Sequence, residues 1–536
     1  MKFRIDFKIV ILMLLFIAFI TLRIFVNSQY YYISGDEGKY LTLARHFPYH
    51  TLDNKSLFLL HPPIFPYIIH FFSFLFKDYI AGITVSIISS IISFVLIYKL
   101  LSLFIKDFYV IAGTLLLYTL SVGGIFLSQN VLKESFTVML FLASIYFFIR
   151  GISQNKKYLV HSSILGAITA LTIDHVIFLF PTFMIAILFF HNKKTTKLLY
   201  AILPILVMLI FYSFWPYTRF YIYTNNDYYS TGIDGIIEKV NDFGIKQILN
   251  PVFFPETAVY GGFTPSDLKH YAFVFGYMFN ILPFSIPLGV TNEIFLVLLK
   301  DKLFYFKLLS YGFMFFLFLY STFNVIKKYN YERKIKNNYN LFFILIFLIF
   351  LFPITQQSSS FRMVFTSIIF LFYFISLGFV QFFGKFKKLI ILFIFLLILF
   401  VPFWIKNNPY LVFELDRVVE AEKTAGFMNK LPKDGIIAQV GYSPELNYLT
   451  DKRIISMPSN PQNLNFILKR FNISYVVYGQ HYWAEVSEKN KDKIFNYETI
   501  KYVQENPEKF RLIAVIKEDF KNLDKEDEMH IYEVTQ

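Results

Sequence analysis

The sequence predicts a polytopic α-helical membrane protein of about eleven transmembrane helices, followed by a small extracytoplasmic α/β domain. Of the 536 residues, 56% are hydrophobic and 16% are charged, whereas soluble domains average about 45–50% apolar and about 25% charged residues. So many apolar runs cannot all be buried in one water-soluble core. The composition therefore excludes disordered, collagen-like and nucleic-acid-binding chains as well as ordinary soluble enzymes. The lack of cysteine excludes a disulfide framework, a thiolate metal site and a cysteine nucleophile.

The positive charge is unevenly distributed along the chain. Residues 406–536 contain 18 Lys and Arg and 20 Asp and Glu, which leaves 33 basic and 17 acidic side chains in residues 1–405. The basic excess lies in short segments between apolar runs. In a membrane protein this distribution is typical of loops on the cytoplasmic side, and it does not indicate a nucleic-acid surface.

The apolar runs predict the membrane spans, because one span needs about 20 mainly apolar residues. The first run, Phe7–Val26, begins among three basic residues, Lys2, Arg4 and Lys8, and precedes no small-residue cleavage site. We therefore interpret it as a retained helix with a cytoplasmic N-terminus. We assign 272–298 to the outer interface or a re-entrant hairpin, because a full span there would place the basic cluster 327–336 outside. The other predicted spans are 80–98, 109–127, 135–150, 158–173, 176–190, 198–215, 303–325, 340–354, 362–382 and 389–405.

The chain changes character after residue 405, where charged residues become frequent. Strand-like runs at Gly435–Val440 and Ser474–Val477 alternate with helical patterns at Arg417–Asn429 and Leu464–Phe471. Residues 406–536 therefore form the predicted extracytoplasmic α/β domain. Residues 1–405 form the predicted transmembrane domain, with external loops at 28–78 and 217–302.

Ionisable groups at membrane depth or at its edge are costly, so each one is a candidate functional residue. The predicted topology brings six polar groups to the external side. They are Ser34–Tyr40 with Arg45 and His46, His61-Pro62-Pro63, Gln129–Glu134, Asp174-His175, Trp215–Arg219, and Arg362. A carboxylate can take a proton from an attacking hydroxyl or amine, and cations can hold a phosphate leaving group. The vicinal carboxylates of Asp36 and Glu37 could instead bind a divalent cation.

Each group also has a purely structural interpretation. Asp36-Glu37 could be a solvated loop pair, and Asp174-His175 a polar turn between spans. His61 could cap an interfacial helix that begins at Pro62-Pro63, and Glu134 could be a helix-end carboxylate that the helix dipole favours. Arg219 and Arg362 could be anchors to lipid headgroups.

The motifs resemble those of the GT-C membrane glycosyltransferases, especially the protein O-mannosyltransferases and the lipid A aminoarabinose transferases. The resemblance rests on the Asp-Glu pair just after the first span and on the basic residue before Pro-Pro. It also includes Tyr40, Ala44-Arg45, Leu132–Glu134, Leu165–Thr172, Trp215–Arg219 and Ser360–Val364. Such enzymes transfer a sugar from a polyprenyl-phosphate carrier on the external face, with inversion at the anomeric carbon.

The resemblance implies a role for each candidate residue. Asp36 would be the general base on the acceptor, and Glu37 would orient it or the sugar. The donor phosphate and the substrates would contact Tyr40, Arg45, His61, Lys133, Glu134, Arg219 and Arg362. The implied partners are a polyprenyl-phosphate sugar, a lipid, glycan or protein acceptor, and membrane lipids, with no nucleic acid. No ligand spacing in the sequence demands a metal, and the external carboxylates permit a divalent cation, so no cofactor is assigned. The plasma (inner) membrane is the expected location.

The sequence departs from the family pattern at three places. The aminoarabinose branch has Lys before Pro-Pro, where this chain has His61, which is only partly charged at neutral pH. Ile173-Asp174-His175 stand where the family often has Lys or Arg. The chain lacks the Trp-Trp-Asp motif of oligosaccharyltransferases, which argues against en bloc transfer to asparagine.

Two rival functions stay open. A transporter or flippase of lipid-linked sugars would need charged groups along a path through the bilayer and signs of repeat symmetry, whereas the charged groups here gather on one side and no repeat is visible. A polymerase or ligase of surface polysaccharide would place its Arg and His residues in large mid-chain external loops.

Overall fold

The computed structural model describes a mostly helical chain with one mixed β-sheet near its C-terminus. The residues that the structure describes are 7–27, 35–45, 62–173, 176, 178–190, 202–204, 206–207, 210, 304–332, 339–350, 361–384, 386, 389, 422–432, 435–440, 444–450, 452, 454–456, 461, 464–465, 468–469, 472–479, 497–520 and 525–535.

Helices occur at nine of the predicted spans, and two short helices lie between the first two of these. The helices before residue 405 are α1 (Phe7–Asn27), α2 (Gly35–Arg45), α3 (Ile64–Ser73), α4 (Asp78–Ser102), α5 (Phe108–Leu120), α6 (Val122–Gln129), α7 (Lys133–Ser153), α8 (Lys157–Ala170), α9 (Leu179–Phe190), α10 (Phe304–Glu332), α11 (Tyr339–Phe350) and α12 (Phe361–Phe383). The predicted spans 198–215 and 389–405 lie largely outside the described residues, and the stretch 272–298 lies wholly outside them.

Four helices of the described part are long and apolar enough to cross a membrane. The qualifying segments are Phe7–Ile24, Asp78–Ser102, Lys133–Ser153 and Thr366–Phe383, and a bent helix pair would make a fifth span. This finding confirms an integral membrane protein with several spans. The total of about eleven stays a prediction.

The predicted third span, 109–127, is not one straight helix. The segments Phe108–Leu120 and Gly123–Gln129 meet at 67°. The Oγ of Ser121 accepts a hydrogen bond from the Gly124 N–H at 3.0 Å, so Ser121 is the N-cap of α6 directly after the end of α5. Two adjacent glycines then weaken the intrinsic preference for a continuous helix. The break is thus a local consequence of the Ser-Val-Gly-Gly sequence.

A glycine allows α10 and α12 to pack at very short range. A Cβ atom on Gly378 of α12 would overlap with the carbonyl oxygen of Leu317 in α10. A backbone oxygen cannot move aside as a flexible side chain can. Small residues at such crossings are how membrane helices approach closely.

Gly378→Ala is therefore expected to lower the free energy of unfolding by about 1–3 kcal/mol through overpacking. Gly312→Ala is the matched control, because no atom lies within 4 Å of a Cβ at this position in α10. The control should be neutral or slightly stabilising, since alanine favours the helix. Thermal unfolding of the detergent-solubilised variants measures the difference, and equal melting temperatures would contradict the close packing.

The C-terminal sheet has five strands in the order β2-β1-β3-β5-β4. Its elements are β1 (Ile436–Val440), α13 (Pro444–Leu449), β2 (Ile454–Ser456), β3 (Ile473–Gly479), α14 (Tyr497–Glu505), β4 (Phe510–Phe520) and β5 (Lys525–Val534). Strands β1, β2 and β3 are parallel, and β5 is antiparallel to both β3 and β4. The predicted strands Gly435–Val440 and Ser474–Val477 are confirmed as β1 and β3.

Both faces of the sheet are covered, because consecutive strand residues point to opposite sides. On one face, Val476 and Tyr478 pack in a cluster with Ile500 of α14. On the other, Val477 packs in a cluster with Leu446 of α13. Of the predicted helix Arg417–Asn429, residues 422–428 are described and helical. Half of Leu464–Phe471 lies outside the described residues, and its described residues 464–465 and 468–469 are helical.

The chain divides into two compact units. The first, the helical unit, comprises Met1–Gln29, Leu59–Ile68 and Ile80–Asn407, and the second, the sheet unit, comprises Tyr30–Phe58, Ile69–Tyr79 and Asn408–Gln536. Helix α2 thus belongs to the same unit as the C-terminal strands. The predicted domain division between residues 405 and 406 stays a prediction.

Candidate active site

Helix α2 carries four of the candidate residues within eleven positions. Asp36 lies in its first turn, where the positive end of the helix dipole favours a carboxylate. Glu37 is fully buried and Tyr40 is 2% exposed. A buried carboxylate is costly in free energy, so Glu37 is not a solvated loop residue. Its placement is typical of a carboxyl group with a specific role.

The C-terminal end of α2 is held by four contacts with three residues of the sheet unit. The Nε of Arg45 forms an ion pair with Oδ2 of Asp78 at 3.3 Å. Its Nη1 donates a hydrogen bond to the carbonyl oxygen of Tyr448 at 3.0 Å, and the guanidinium lies 4.3 Å from the centre of the Tyr448 ring. The Nδ1 of His70 lies 2.8 Å from the carbonyl oxygen of Ala44. Arg45 therefore already has a carboxylate partner in this structure.

A second group of candidates lies at the start of α7 in the helical unit. Lys133 is 6% exposed and Glu134 is 4% exposed. Both occupy the first turn of α7, where the helix dipole favours the carboxylate of Glu134. The Oγ1 of Thr137 binds the carbonyl oxygen of Lys133 at 2.9 Å and lies 2.9 Å from Oγ1 of Thr172. The two motifs Leu132–Glu134 and Leu165–Thr172 are therefore connected through Thr137.

Arg23 is a buried polar residue that the sequence analysis missed. It is fully buried in α1, and its guanidinium lies 3.5 Å from the centre of the Phe19 ring. Its Nε donates to Oγ of Ser90 at 3.0 Å, and its terminal nitrogens donate to the carbonyl oxygens of Tyr118 and Thr119, each at 3.3 Å. These carbonyls belong to the last turn of α5, next to the helix break. An arginine inside an otherwise apolar run was the signal in the sequence.

Gln129 connects the same region to the end of α1. Its Nε2 donates to the carbonyl oxygens of Leu22 and Arg23 at 3.1 and 2.9 Å. The end of α6 is therefore tied to α1 a few residues before Lys133 and Glu134.

Several other candidates lie outside the described residues, namely His61, Asp174-His175, Trp215 and Arg219. For Asp36 and Arg362 the structure describes the backbone, which lies in the first turns of α2 and α12. Within the described part of the chain, no group of three or more His, Asp and Glu residues could hold a metal ion.

Comparisons with known proteins give two kinds of match. Residues 60–217 match the family model described as dolichyl-phosphate-mannose-protein mannosyltransferase. Among solved structures, the fold is similar to that of ArnT from Cupriavidus metallidurans bound to undecaprenyl phosphate. The TM-score is 0.58 at 10% identity, over 96% of this chain and 97% of that one. No curated protein matches the chain in sequence.

The fold is also similar to that of the oligosaccharyltransferase from Archaeoglobus fulgidus in two forms. The form tethered with an acceptor peptide gives a TM-score of 0.55 at 12% identity, over 100% of this chain and 74% of that one. The apo form gives 0.52 at 13% identity, over 89% and 70%. Together the matches confirm the GT-C fold predicted from the motifs and support a membrane glycosyltransferase.

Proposed function

We propose that this GT-C membrane glycosyltransferase transfers a sugar from a polyprenyl-phosphate carrier to an acceptor on the extracytoplasmic face, with inversion at the anomeric carbon. The acceptor is a hydroxyl or amine of a protein, lipid or glycan. The observation that carries the proposal is the mannosyltransferase match over residues 60–217. The ArnT neighbour binds undecaprenyl phosphate, which supports the same class of donor here.

The reaction needs one general base for the acceptor and several positively charged side chains for the leaving phosphate. The acceptor oxygen or nitrogen attacks the anomeric carbon from the face opposite the phosphate, so the configuration inverts. As the new bond forms, the acceptor proton moves to the carboxylate of Asp36, and the electron pair of the breaking C–O bond passes to the leaving polyprenyl phosphate.

The leaving phosphate gains negative charge, which basic side chains stabilise. His61, Arg219 and Arg362 are the proposed groups for this task. The buried Glu37 and Tyr40 on α2 orient the base or the sugar, and Lys133 and Glu134 at the start of α7 contact the substrates. Burial of these four side chains supports fixed positions for them.

The positive-inside pattern supports the orientation of the chain. In the proposed topology the N-terminus is cytoplasmic, the protein resides in the plasma (inner) membrane, and about eleven spans lead to an external C-terminal α/β domain. The reaction then takes place on the side of the membrane that nucleotide sugars do not reach.

The class of donor is tested with one labelled sugar on three carriers: polyprenyl phosphate, polyprenyl diphosphate and a nucleoside diphosphate. Purified protein in lipid vesicles with an envelope extract should consume the polyprenyl phosphate donor alone. The product should have the inverted anomeric configuration. Consumption of the nucleotide sugar alone, or retention of configuration, would overturn the proposal.

The base role of Asp36 also predicts the effect of chelation. If Asp36 and Glu37 act as base and orienting group, EDTA should leave the transfer rate unchanged within about twofold. If they bind a divalent cation instead, chelation should abolish transfer and added Mg²⁺ or Mn²⁺ should restore it. Initial rates with and without chelator distinguish the two roles.

A further inference from the structure

Arg45 connects helix α2 to two distant parts of the chain. Its partner Asp78 begins α4, and its partner Tyr448 lies 403 positions away in α13. Helices α2 and α13 pack against each other, and all three residues belong to the sheet unit. The Arg45 side chain is 39% exposed, but its guanidinium makes an ion pair, a hydrogen bond and a ring contact at the same time, which together restrict its position.

Helix α13, which carries Tyr448, packs against the sheet. Leu446 of α13, two residues before Tyr448, is fully buried and packs in a cluster with Ile437 of β1, Val477 of β3 and Ile531 of β5. The carbonyl oxygen that accepts from Arg45 therefore belongs to a helix fixed on three strands. A displacement of α13 is therefore passed on to α2 through Arg45 as well as through the packing of the two helices.

The last turn of α2 is held by contacts with several elements. Arg45 lies in the last turn, where the negative end of the helix dipole favours a cation. His70 contacts the neighbouring carbonyl of Ala44 from α3. The last turn is thus held by residues from α3, α4 and α13. A helix is stiff along its axis, so fixing this turn also places the first turn, which begins about 14 Å away.

We infer that Arg45 is a positioning residue: through its contacts with Asp78 and Tyr448, the C-terminal part of the chain sets the placement of the helix that carries Asp36 and Glu37. The inference rests on the proposed function in one respect, namely that α2 carries the catalytic base. It assigns the C-terminal region a direct part in activity. It also differs from the donor-phosphate role that the sequence resemblance implies for Arg45.

Two variants separate the positioning role from phosphate binding. Arg45→Gln removes the cation, and Asp78→Asn removes only its carboxylate partner. If Arg45 positions α2, both variants should lower kcat by about tenfold or more, because a displacement of about 1 Å can cost up to about 100-fold in rate. The donor KM should change by less than about twofold. The double variant should be no worse than Arg45→Gln alone, because that substitution already removes the ion pair with Asp78.

Further variants test the contact of Arg45 with the Tyr448 ring and provide a control for the loss of a surface charge. Tyr448→Phe keeps the ring and should be neutral. Tyr448→Ala removes the ring contact but keeps the carbonyl acceptor and the ion pair, so it should lower kcat by less than Arg45→Gln. Arg511→Gln is the matched control, because Arg511 forms an exposed ion pair with Glu533 between β4 and β5 of the same unit. This pair joins two strands of one hairpin and involves no residue of α2, so this variant should retain full activity. All variants should have melting temperatures close to that of the unaltered protein.

Hydrogen exchange gives a readout that needs no substrate. In Arg45→Gln and Asp78→Asn the amides of residues 35–45 should exchange faster than in the unaltered protein, and those of 444–449 should follow. Arg511→Gln should leave both segments unchanged. If the unaltered protein transfers no sugar but the exchange pattern is as expected, the proposed function is wrong. The conclusion that Arg45 holds α2 in place through Asp78 and Tyr448 is then still supported.

Two results would overturn the inference. The first is a donor KM raised at least about tenfold in Arg45→Gln with kcat retained, while Asp78→Asn leaves the donor KM unchanged or lower. That pattern would show that Arg45 binds the donor phosphate and that Asp78 competes with the phosphate for the guanidinium. The second is Arg45→Gln with unchanged kcat and unchanged exchange in residues 35–45, which would make the contacts incidental.

Discussion

Asp36→Asn is expected to abolish sugar transfer while the protein remains folded and inserted in the membrane. Asparagine has nearly the same size as aspartate but cannot accept the proton of the acceptor at neutral pH. General-base catalysis contributes about 10²–10⁴-fold to a rate, so kcat should fall by at least about 100-fold. Asn is also well tolerated at helix N-termini, where Asp36 lies. The measurement is the initial rate of label transfer from the lipid-linked donor in membranes with matched protein levels.

Asp107→Asn is the matched control for this substitution. The Asp107 carboxylate caps α5 by accepting a hydrogen bond from the Tyr109 N–H at 3.0 Å, and an asparagine oxygen can form the same cap. The control should therefore keep full activity and insertion. Full activity in Asp36→Asn would refute the base role. Loss of insertion together with activity would show that the Asp36 carboxylate is structural.

Arg23→Leu is expected to destabilise the helical unit strongly. The substitution removes the donors that satisfy the carbonyls of Tyr118 and Thr119 at the end of α5, and the partner of Ser90 in α4. Each buried polar group left without a partner costs about 1–3 kcal/mol. Ser90 keeps its contact with the Tyr118 hydroxyl at 3.4 Å, so the two carbonyls alone lose their partners and the free energy of unfolding should fall by about 2–6 kcal/mol. The lost contact with the Phe19 ring adds to this. Thermal unfolding in detergent measures the effect.

Arg150→Leu provides the comparison for Arg23→Leu. Arg150 also lies in an apolar helix, but it is only partly buried and its side-chain hydrogen bonds go to Gln154 and Tyr146 one turn away. Interactions of this exposed kind contribute about 0–1 kcal/mol. Equal melting temperatures for the two variants would show that the Arg23 network does not hold the broken helix in place.

The sequence predicted the helices well because an apolar run of sufficient length has few alternatives in a membrane protein. It did not predict the break at Ser121, since the run 109–127 is apolar almost throughout. The local Ser-Val-Gly-Gly sequence favours the break, and Arg23, about 100 residues earlier, supplies donors to the freed carbonyls. Such a contact depends on the packing of α1 against α5, which no local pattern encodes.

The sheet was predicted in part for a similar reason. The buried strands β1 and β3 are mainly apolar runs, and such runs predict strands directly from the sequence. Strands β4 and β5 pair at their far ends through charged residues, for example Lys517 with Glu528 and Asp519 with Glu526. These charged residues obscure the two-residue periodicity of apolar residues in the rest of the hairpin. The sequence pattern therefore does not predict β4 and β5.

The candidate site was found through its charged residues rather than through its geometry. The Asp-Glu pair after α1 and the buried Lys133 and Glu134 were all identified from the cost of placing ionisable groups near a membrane. The burial of Glu37 could not be foreseen, because it depends on packing around α2. The pairing of Arg45 with Asp78 and Tyr448 joins three segments that no spacing rule relates.

The most direct test of the central claim follows a radiolabelled sugar from its carrier. Membranes with the unaltered chain or with Asp36→Asn receive labelled polyprenyl-phosphate sugars together with an envelope extract of the host. The account predicts that label moves from the lipid to another molecule only with the unaltered chain, and the labelled product then identifies the acceptor. If no donor is consumed but the lipid-linked sugar changes leaflet whenever the protein is present, the chain is a transporter and the glycosyltransferase account is contradicted.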